Sequence, residues 1–176
     1  TLQIKSLKQY KEVYQESVYN PEKFWAAQAE TFQWQKKWDE VLNWDFRKPE
    51  VEWFKGGKMN ITENCLDRHL ADRGDQTAIL WEPNDPNQKT VKYSYQELYE
   101  EVCPLGNALR ATEFNTTVRI CISIPMVEEF TIGVLSCARL WAFNSVVFDG
   151  FSATAVEYIL THTTSTIVIC PDSHDR

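Results

Sequence analysis

The spacing of hydrophobic positions changes along this chain, and the change predicts which segments are helices and which are strands. In residues 6–19 apolar side chains recur every three or four positions, which predicts an amphipathic helix. Asn20 and Pro21 then predict the N-cap and the first position of a second helix. From Val118 onwards short apolar runs alternate with helical patterns, which is typical of parallel strands joined by helices.

Residues 34–54 follow neither period, since tryptophan and phenylalanine are interleaved with charged residues and Pro49 interrupts the pattern. We therefore interpret residues 1–58 as a helical and aromatic-rich arm that lies across a larger body, because a segment of this size buries too little surface to fold alone. Residues 59–176 are predicted to form a partial α/β subdomain. The predicted fold class is α/β, with a partial parallel sheet that carries helices on both faces.

The middle of the chain contains two local signals of defined structure. Strand-like runs at 77–82 and 89–93 flank a loop with two prolines, which predicts a β-hairpin. Ser94 and Glu97 match a capping box, which predicts that a helix begins there. Pro104 falls inside that helix and is expected to kink it.

The last third of the chain carries the pattern that points to a ligand. Residues 145–148 read as a buried strand, Gly150 as a tight turn, Ser152 as the N-cap of a helix, and residues 166–170 as a second buried strand. We expect the two strands to be parallel neighbours bridged by the helix. Ligands bind at the carboxyl ends of such strands, and a helix N-terminus attracts anions, although a serine cap alone is a weak signal.

Net charge and cysteine content argue against several classes of function. The 176-residue chain carries a formal net charge of -7 and its basic residues do not cluster, which argues against a nucleic-acid surface. No apolar run approaches the roughly 20 residues that span a bilayer, and the first residues do not resemble a signal peptide. The five cysteines lack CxxC spacing and lie within apolar patterns, so we interpret them as reduced core thiols of a cytoplasmic protein.

Motifs for catalysis or metal binding are absent from the sequence, which has no nucleophile elbow, Walker loop, dinucleotide fingerprint or zinc-protease motif. Cys65 and His69 stand four residues apart on a predicted helix and could supply half of a zinc site, but no second ligand pair has usable spacing. A packed cysteine beside a hydrogen-bonded histidine is the preferred interpretation. We assign no catalytic and no metal-binding residue to this chain.

Four runs of sequence carry a resemblance to a known family. They are WFKGGKMNI at 53–61, NCLDRHL at 64–70, RGDQTA at 73–78 and SVVF at 145–148. Together they resemble the N-terminal part of AMP-forming acetyl-CoA synthetases, which belong to the acyl-adenylate-forming enzymes. The resemblance implies that the full-length enzyme is a ligase. It would convert acetate and ATP, with Mg²⁺, to acetyl-AMP and pyrophosphate, and then form a thioester with CoA.

The same resemblance implies that this chain holds only part of the enzyme's sites, within the large adenylating domain. The phosphate loop, the adenine and acetate pockets and the C-terminal domain lie downstream in the family. A turn that meets the CoA nucleotide, and an arginine further on, match Phe148, Asp149, Gly150 and Arg176, so these four residues are assigned to cofactor binding. Asp149 and Trp141 depart from the family, which has glycine at both positions.

Three functions remain open at this point. In the first, the chain is an N-terminal fragment of an acetate–CoA ligase, inactive alone, that supplies scaffold and part of the CoA nucleotide site. The partners of its parent would be the small molecules acetate, ATP and CoA, with no nucleic acid and no membrane. Alternatively, the chain is a free-standing module that binds CoA or another nucleotide, or a non-catalytic piece that self-associates through truncated surfaces.

Overall fold

The computed structural model of this chain describes residues 3–112, 118–148 and 150–172. The chain divides into two compact units, Thr1–Met59 and Asn60–Arg176. The predicted α/β class is confirmed, because the chain combines helices with antiparallel hairpins and a three-stranded parallel sheet. None of the described helices is both long and apolar enough to cross a membrane.

The first unit is built from two helices and a hairpin. Helix α1 (Leu7–Tyr19) begins where Ser6 Oγ accepts a hydrogen bond from the backbone N–H of Gln9. Helix α2 (Pro21–Ala29) begins at Pro21 as predicted, but the Asn20 side chain makes no capping hydrogen bond. Strands β1 (Glu40–Asp45) and β2 (Glu50–Lys55) pair in antiparallel fashion. The sequence pattern did not predict this hairpin within the helical and aromatic-rich arm, because charged residues and exposed aromatic residues on both strands hide the period-two pattern.

Aromatic side chains pack against one another in the first unit, where the centroids of neighbouring rings lie 5.0 to 6.1 Å apart. Gly56 follows β2 with φ of +75°, a conformation that glycine adopts at little cost. A Cβ there would lie 2.1 Å from Asp39 Oδ2. The left-handed backbone conformation therefore favours glycine at this position.

The second unit begins with short helical pieces and the predicted hairpin. Its first elements are α3 (Ile61–Cys65), a 3₁₀ turn (Asp67–His69) and α4 (Leu70–Arg73). Strands β3 (Thr77–Trp81) and β4 (Val91–Ser94) then pair in antiparallel fashion, which confirms the predicted hairpin.

Helix α5 (Tyr95–Ala111) begins with the predicted capping box. Ser94 Oγ accepts a hydrogen bond from the Glu97 N–H at 3.1 Å, and Glu97 Oε2 accepts one from the Ser94 N–H at 2.8 Å. The helix continues through Pro104, which lies on its exposed side, where water can reach the carbonyl that the proline leaves without a helical donor.

The parallel sheet contains β5 (Arg119–Ile122), β6 (Phe143–Val146) and β7 (Ile167–Ile169), linked by α6 (Glu128–Arg139) and α7 (Ala153–Thr163). Their order is β6-β5-β7, so the prediction that the last two strands are neighbours is wrong. The crossover from β5 to β6 and the crossover from β6 to β7 run in opposite directions along the sheet. The second crossover, through α7, therefore passes over β5. Right-handed crossovers in opposite directions place α6 and α7 on opposite faces of the sheet.

The prediction that the last two strands are buried is also wrong. In the described sheet both are edge strands, and Phe143 and Val146 on β6 are 65% and 55% exposed. Only the central strand is fully covered, since Ile120, Cys121 and Ile122 lose all contact with solvent. The burial of each strand therefore depends more on its position in the sheet than on how hydrophobic its own sequence is.

Helix α6 is buried on two sides. One core cluster joins its Cys137 to Ile120 and Ile122 of β5, and a second joins its Ile132 to the α5 side chains. Between them Ser136 is fully buried, and its Oγ lies 3.0 Å from the backbone carbonyl oxygen of Val102 in α5. The small residues of α6 thus allow the two helices to approach closely.

Candidate functional site

The carboxyl edge of the parallel sheet is where this topology favours a ligand. Strands β5 and β6 lie side by side there, and the Val147 N–H donates to the Ile122 carbonyl oxygen at 2.9 Å. Residues after β5 lead to α6, and residues after β6 lead to α7. Because these helices belong to opposite faces of the sheet, the two connections diverge at this edge, the arrangement at which α/β sheets commonly bind ligands.

Residues 147–148 and 150–152, which we call the cofactor turn after their predicted role, follow β6 at this edge. The Phe151 N–H donates to the Phe148 carbonyl oxygen at 3.1 Å and closes the turn. Ser152 Oγ accepts from the Ala155 N–H at 3.3 Å, so the predicted N-cap of α7 is confirmed. Val147 is buried and fixes the start of the turn.

The electric field at the two helix starts differs. The first turn of α7 contains no acidic residue, so no side-chain carboxylate in that turn opposes the positive end of the helix. Helix α6 instead begins with Glu128 and Glu129, whose carboxylates already oppose the positive end of that helix. An anion at this edge is therefore favoured on the α7 side.

The cofactor turn exposes aromatic surface beside a glycine. Phe148 and Phe151 are 68% and 49% exposed, and their ring centroids lie 5.9 Å apart in an edge-to-face arrangement. A Cβ on Gly150 would lie 2.8 Å from Cε1 of Phe148, so any larger residue would displace that ring.

The structure brings two of the four predicted cofactor residues together. Phe148 and Gly150 both belong to the cofactor turn. Asp149 and Arg176 lie outside the described residues. The sequence prediction of a turn at this strand end is confirmed, whereas the roles of the four residues stay predictions.

The loop after β5, residues 123–127, lies on the other side of the edge, and sequence reasoning did not single it out. Trp81 Nε1, on β3, donates to the Met126 carbonyl oxygen at 2.8 Å. The Val127 N–H donates to the Pro125 carbonyl oxygen at 2.8 Å, which tightens the same loop. No sequence pattern links Trp81 to Met126, because the contact joins elements 45 residues apart.

The pair Cys65 and His69 does not form a packed cluster. Cys65 is exposed, so the prediction of a packed cysteine at this position is wrong. The His69 ring packs on Tyr95 with centroids 5.0 Å apart. Partial burial, and then the guanidinium groups of Arg73 and Arg68, lower the pKa of His69. Within the described ranges no three His, Cys, Asp or Glu side chains gather as metal ligands do.

The five cysteines are all free thiols, but they are not all in the core. Cys121 and Cys137 are buried, as predicted, and burial raises the pKa of the Cys137 thiol to about 11. Cys103 is half-buried, and Cys65 and Cys170 are exposed, so the prediction of core thiols is wrong for these three. Their apolar neighbours in sequence did not reveal which side of each element meets solvent.

Comparison with known sequences identifies the relatives of this chain. The family described as "Acetyl-coenzyme A synthetase N-terminus" matches residues 10–65, and the family described as "AMP-binding enzyme" matches residues 66–176. The chain is 44% identical over 168 residues to the acetyl-coenzyme A synthetase of Alkalilimnicola ehrlichii. It is 42% identical over 172 residues to that of Halorhodospira halophila and 44% identical over 172 residues to that of Leptospira biflexa.

These alignments cover 95 to 97% of this chain and 26% of each relative. The chain therefore spans about a quarter of the length of the curated relatives that it matches.

Proposed function

Since this chain belongs to the AMP-binding enzymes and corresponds to the N-terminal portion of acetyl-coenzyme A synthetases, we propose that it is part of an acetate–CoA ligase. The complete enzyme would convert acetate, ATP and CoA to acetyl-CoA, AMP and pyrophosphate, with Mg²⁺ accompanying ATP. This portion would supply scaffold and part of the CoA nucleotide site. Its arm (residues 1–58) and its α/β subdomain (residues 59–176) would have separate roles, with the cofactor residues in the second. The proposed compartment is the cytoplasm, where free thiols stay reduced.

The observation that carries the CoA proposal is the carboxyl edge of the parallel sheet. A helix start without acidic residues in its first turn follows an exposed aromatic turn there. The four residues proposed to contact CoA are Phe148, Asp149, Gly150 and Arg176. A planar guanidinium such as that of Arg176 suits a phosphate contact, and the first turn of α7 would hold a second phosphate oxygen.

Two measurements on the 176-residue chain test this proposal. Acetate-dependent exchange between ATP and pyrophosphate should be absent, because the chain covers a quarter of the length of its relatives. Titration calorimetry should detect CoA binding that Arg176→Ala weakens and that Arg47→Ala leaves unchanged, since Arg47 is an exposed arginine of the first unit. Measurable exchange by the pure chain contradicts the inactive-portion proposal. If no binding heat is detected, the proposed CoA site is contradicted, and only the proposed scaffold role remains.

A second candidate function is self-association through the edge of the sheet. Strand β6 presents an edge with the exposed apolar side chains of Phe143 and Val146, and such edges pair readily with other strands. Light scattering over a range of concentrations tests this candidate. A mass that rises with concentration, and that Val146→Lys abolishes, supports it, and a constant monomer mass rules it out.

A further inference from the structure

We infer that Trp141 is the anchor of an interface between two copies of this chain, in which β6 pairs with β6 of a second copy across a two-fold axis. This inference rests on the second candidate function and deepens it, because it names the residue that holds the partner and the symmetry of the pair. It does not depend on the proposed CoA site.

The first observation is a tryptophan in a backbone conformation that does not suit it. Trp141 has φ of +61°, in the left-handed region that glycine adopts freely and that other residues adopt at a cost. Its side chain is 55% exposed, so packing within this chain covers less than half of it. Strain of this kind concentrates at functional sites, which points to a use for this side chain at the surface.

The second observation is the lack of charge along the strand edge beside Trp141. Residues 140–148 read LWAFNSVVF and contain no charged side chain. Edge strands that avoid pairing usually carry lysine or proline. Two copies of a chain with a net charge of -7 repel each other, so they meet most readily where the surface is uncharged. A second copy is therefore the partner that we assign to this edge.

The third observation is that this edge is self-complementary. Strand β6 lies at the edge of the described sheet, so one row of its backbone N–H and C=O groups is open to a further strand. In an antiparallel pair related by a two-fold axis, the start of one strand lies beside the end of the other.

Apolar side chains stand at both ends of the strand. Trp141 lies two positions before β6, and Phe148, which is 68% exposed, lies two positions after it. Two-fold pairing therefore brings Trp141 of each copy near Phe148 of the other. The pair thus covers exposed aromatic surface twice, and a tryptophan covered in this way is a typical interface anchor.

The test measures the dissociation constant of the pair by light scattering and sedimentation of the 176-residue chain over a range of concentrations. Trp141→Gly should raise this Kd at least about tenfold, as expected when an interface tryptophan is removed from both copies. Trp141→Phe keeps an aromatic ring and should raise the Kd less. Thr164→Gly is the matched control, because Thr164 has φ of +51° after α7. It relieves the same kind of strain and should leave the Kd unchanged.

A second readout separates an interface role from a structural one. At concentrations where the chain is monomeric, Trp141→Gly should not lower the unfolding midpoint, because it relieves backbone strain. A lower midpoint would show that the fold itself needs this tryptophan, and it overturns the inference. The mass of the parent should level off at that of a dimer, since a two-fold interface closes, and continued growth contradicts the two-fold pairing.

The remaining outcomes distinguish this inference from the proposals on which it builds. If the parent associates and Trp141→Gly associates equally well, the inference is overturned while the second candidate function stands. If the parent stays monomeric, the inference and the second candidate function both fail, and the proposed ligase role is unaffected.

Discussion

The side-chain amide of Asn60 donates a hydrogen bond to the backbone carbonyl oxygen of Arg139 at 3.1 Å, across 79 positions of the chain. The same Nδ2 lies 3.3 Å from the Ala138 carbonyl oxygen, and Asn60 Oδ1 accepts from the Thr62 N–H at 2.9 Å. The Asn60 side chain is buried. It stabilises two helices, because it caps the start of α3 and donates to carbonyl oxygens at the end of α6.

Replacing Asn60 should therefore destabilise the second unit. We expect Asn60→Ala to lower the free energy of unfolding by about 2–4 kcal/mol, because a helix cap is lost and buried carbonyls lose their donor. Asn60→Asp keeps the acceptor for Thr62 but sets a carboxylate oxygen against two carbonyl oxygens, so it should destabilise at least as much. Urea unfolding measures both. Asn107→Ala, at an exposed position of α5, is the control, and equal effects at the two sites contradict this role of Asn60.

The end of α6 carries backbone strain that a single substitution should relieve. Trp141 has φ of +61°, and the Ala142 N–H donates to the Cys137 carbonyl oxygen at 3.0 Å, as in a Schellman motif. Glycine is preferred at such a position, so Trp141→Gly should raise the free energy of unfolding by about 1 kcal/mol. Thr164, at the corresponding position after α7, has φ of +51°, and Thr164→Gly should stabilise similarly. A lower unfolding midpoint for both variants would contradict the strain argument.

Stability should depend on pH through His69. Its folded pKa is lowered from the ordinary value of 6.5, chiefly by burial and then by Arg73 and Arg68. As pH falls through about 6.5, the unfolded chain takes up this proton before the folded chain does, so the contribution present above that pH is lost. His69→Phe keeps a ring against Tyr95 and should make the free energy of unfolding less dependent on pH as the pH falls below about 6.5. His162→Phe is the matched ring control, and an identical slope for parent and His69→Phe would refute the assignment.

Thiol reactivity should follow burial. A neutral disulfide reagent should modify Cys65 and Cys170 quickly in the native chain, because both side chains are exposed. Cys121 and Cys137 should react only after unfolding, since both are buried and burial raises the pKa of each thiol. Mass spectrometry of a timed reaction locates the modified residues. Rapid native labelling of Cys137 would show that α6 does not pack as described.

The acidic residue at the cofactor turn should weaken CoA binding. We expect Asp149→Gly to lower the Kd for CoA about three- to tenfold, because it removes a negative charge near the proposed phosphate contact and frees the backbone for approach. Asp149→Asn removes the charge alone, so comparison of the two variants separates charge from steric access. The charge contribution should shrink at high salt. Calorimetry at two salt concentrations is the measurement, and weaker binding by both variants would reverse the proposed role.

The amino-acid sequence alone determined the features that depend on near neighbours. Two helix caps form between residues three positions apart, so they can be recognised from the local sequence. They are Ser94 with Glu97, and Ser152 with Ala155. The β3–β4 hairpin and the helices of the second unit likewise follow from local period and turn composition. The four motif runs identified the family for the same reason, because a resemblance is read directly from consecutive residues.

Only the tertiary structure decided which elements meet. The strand order β6-β5-β7 depends on the direction of each crossover, and each strand alone has the same apolar pattern in either order. The contacts of Asn60 with Arg139 and of Trp81 with Met126 join residues 79 and 45 positions apart, where no local period constrains the partner. Hydrophobic spacing determines which side of a helix or strand tends to be buried. Packing against the other elements determines which residues bury that side and which edge of the sheet stays accessible to a ligand.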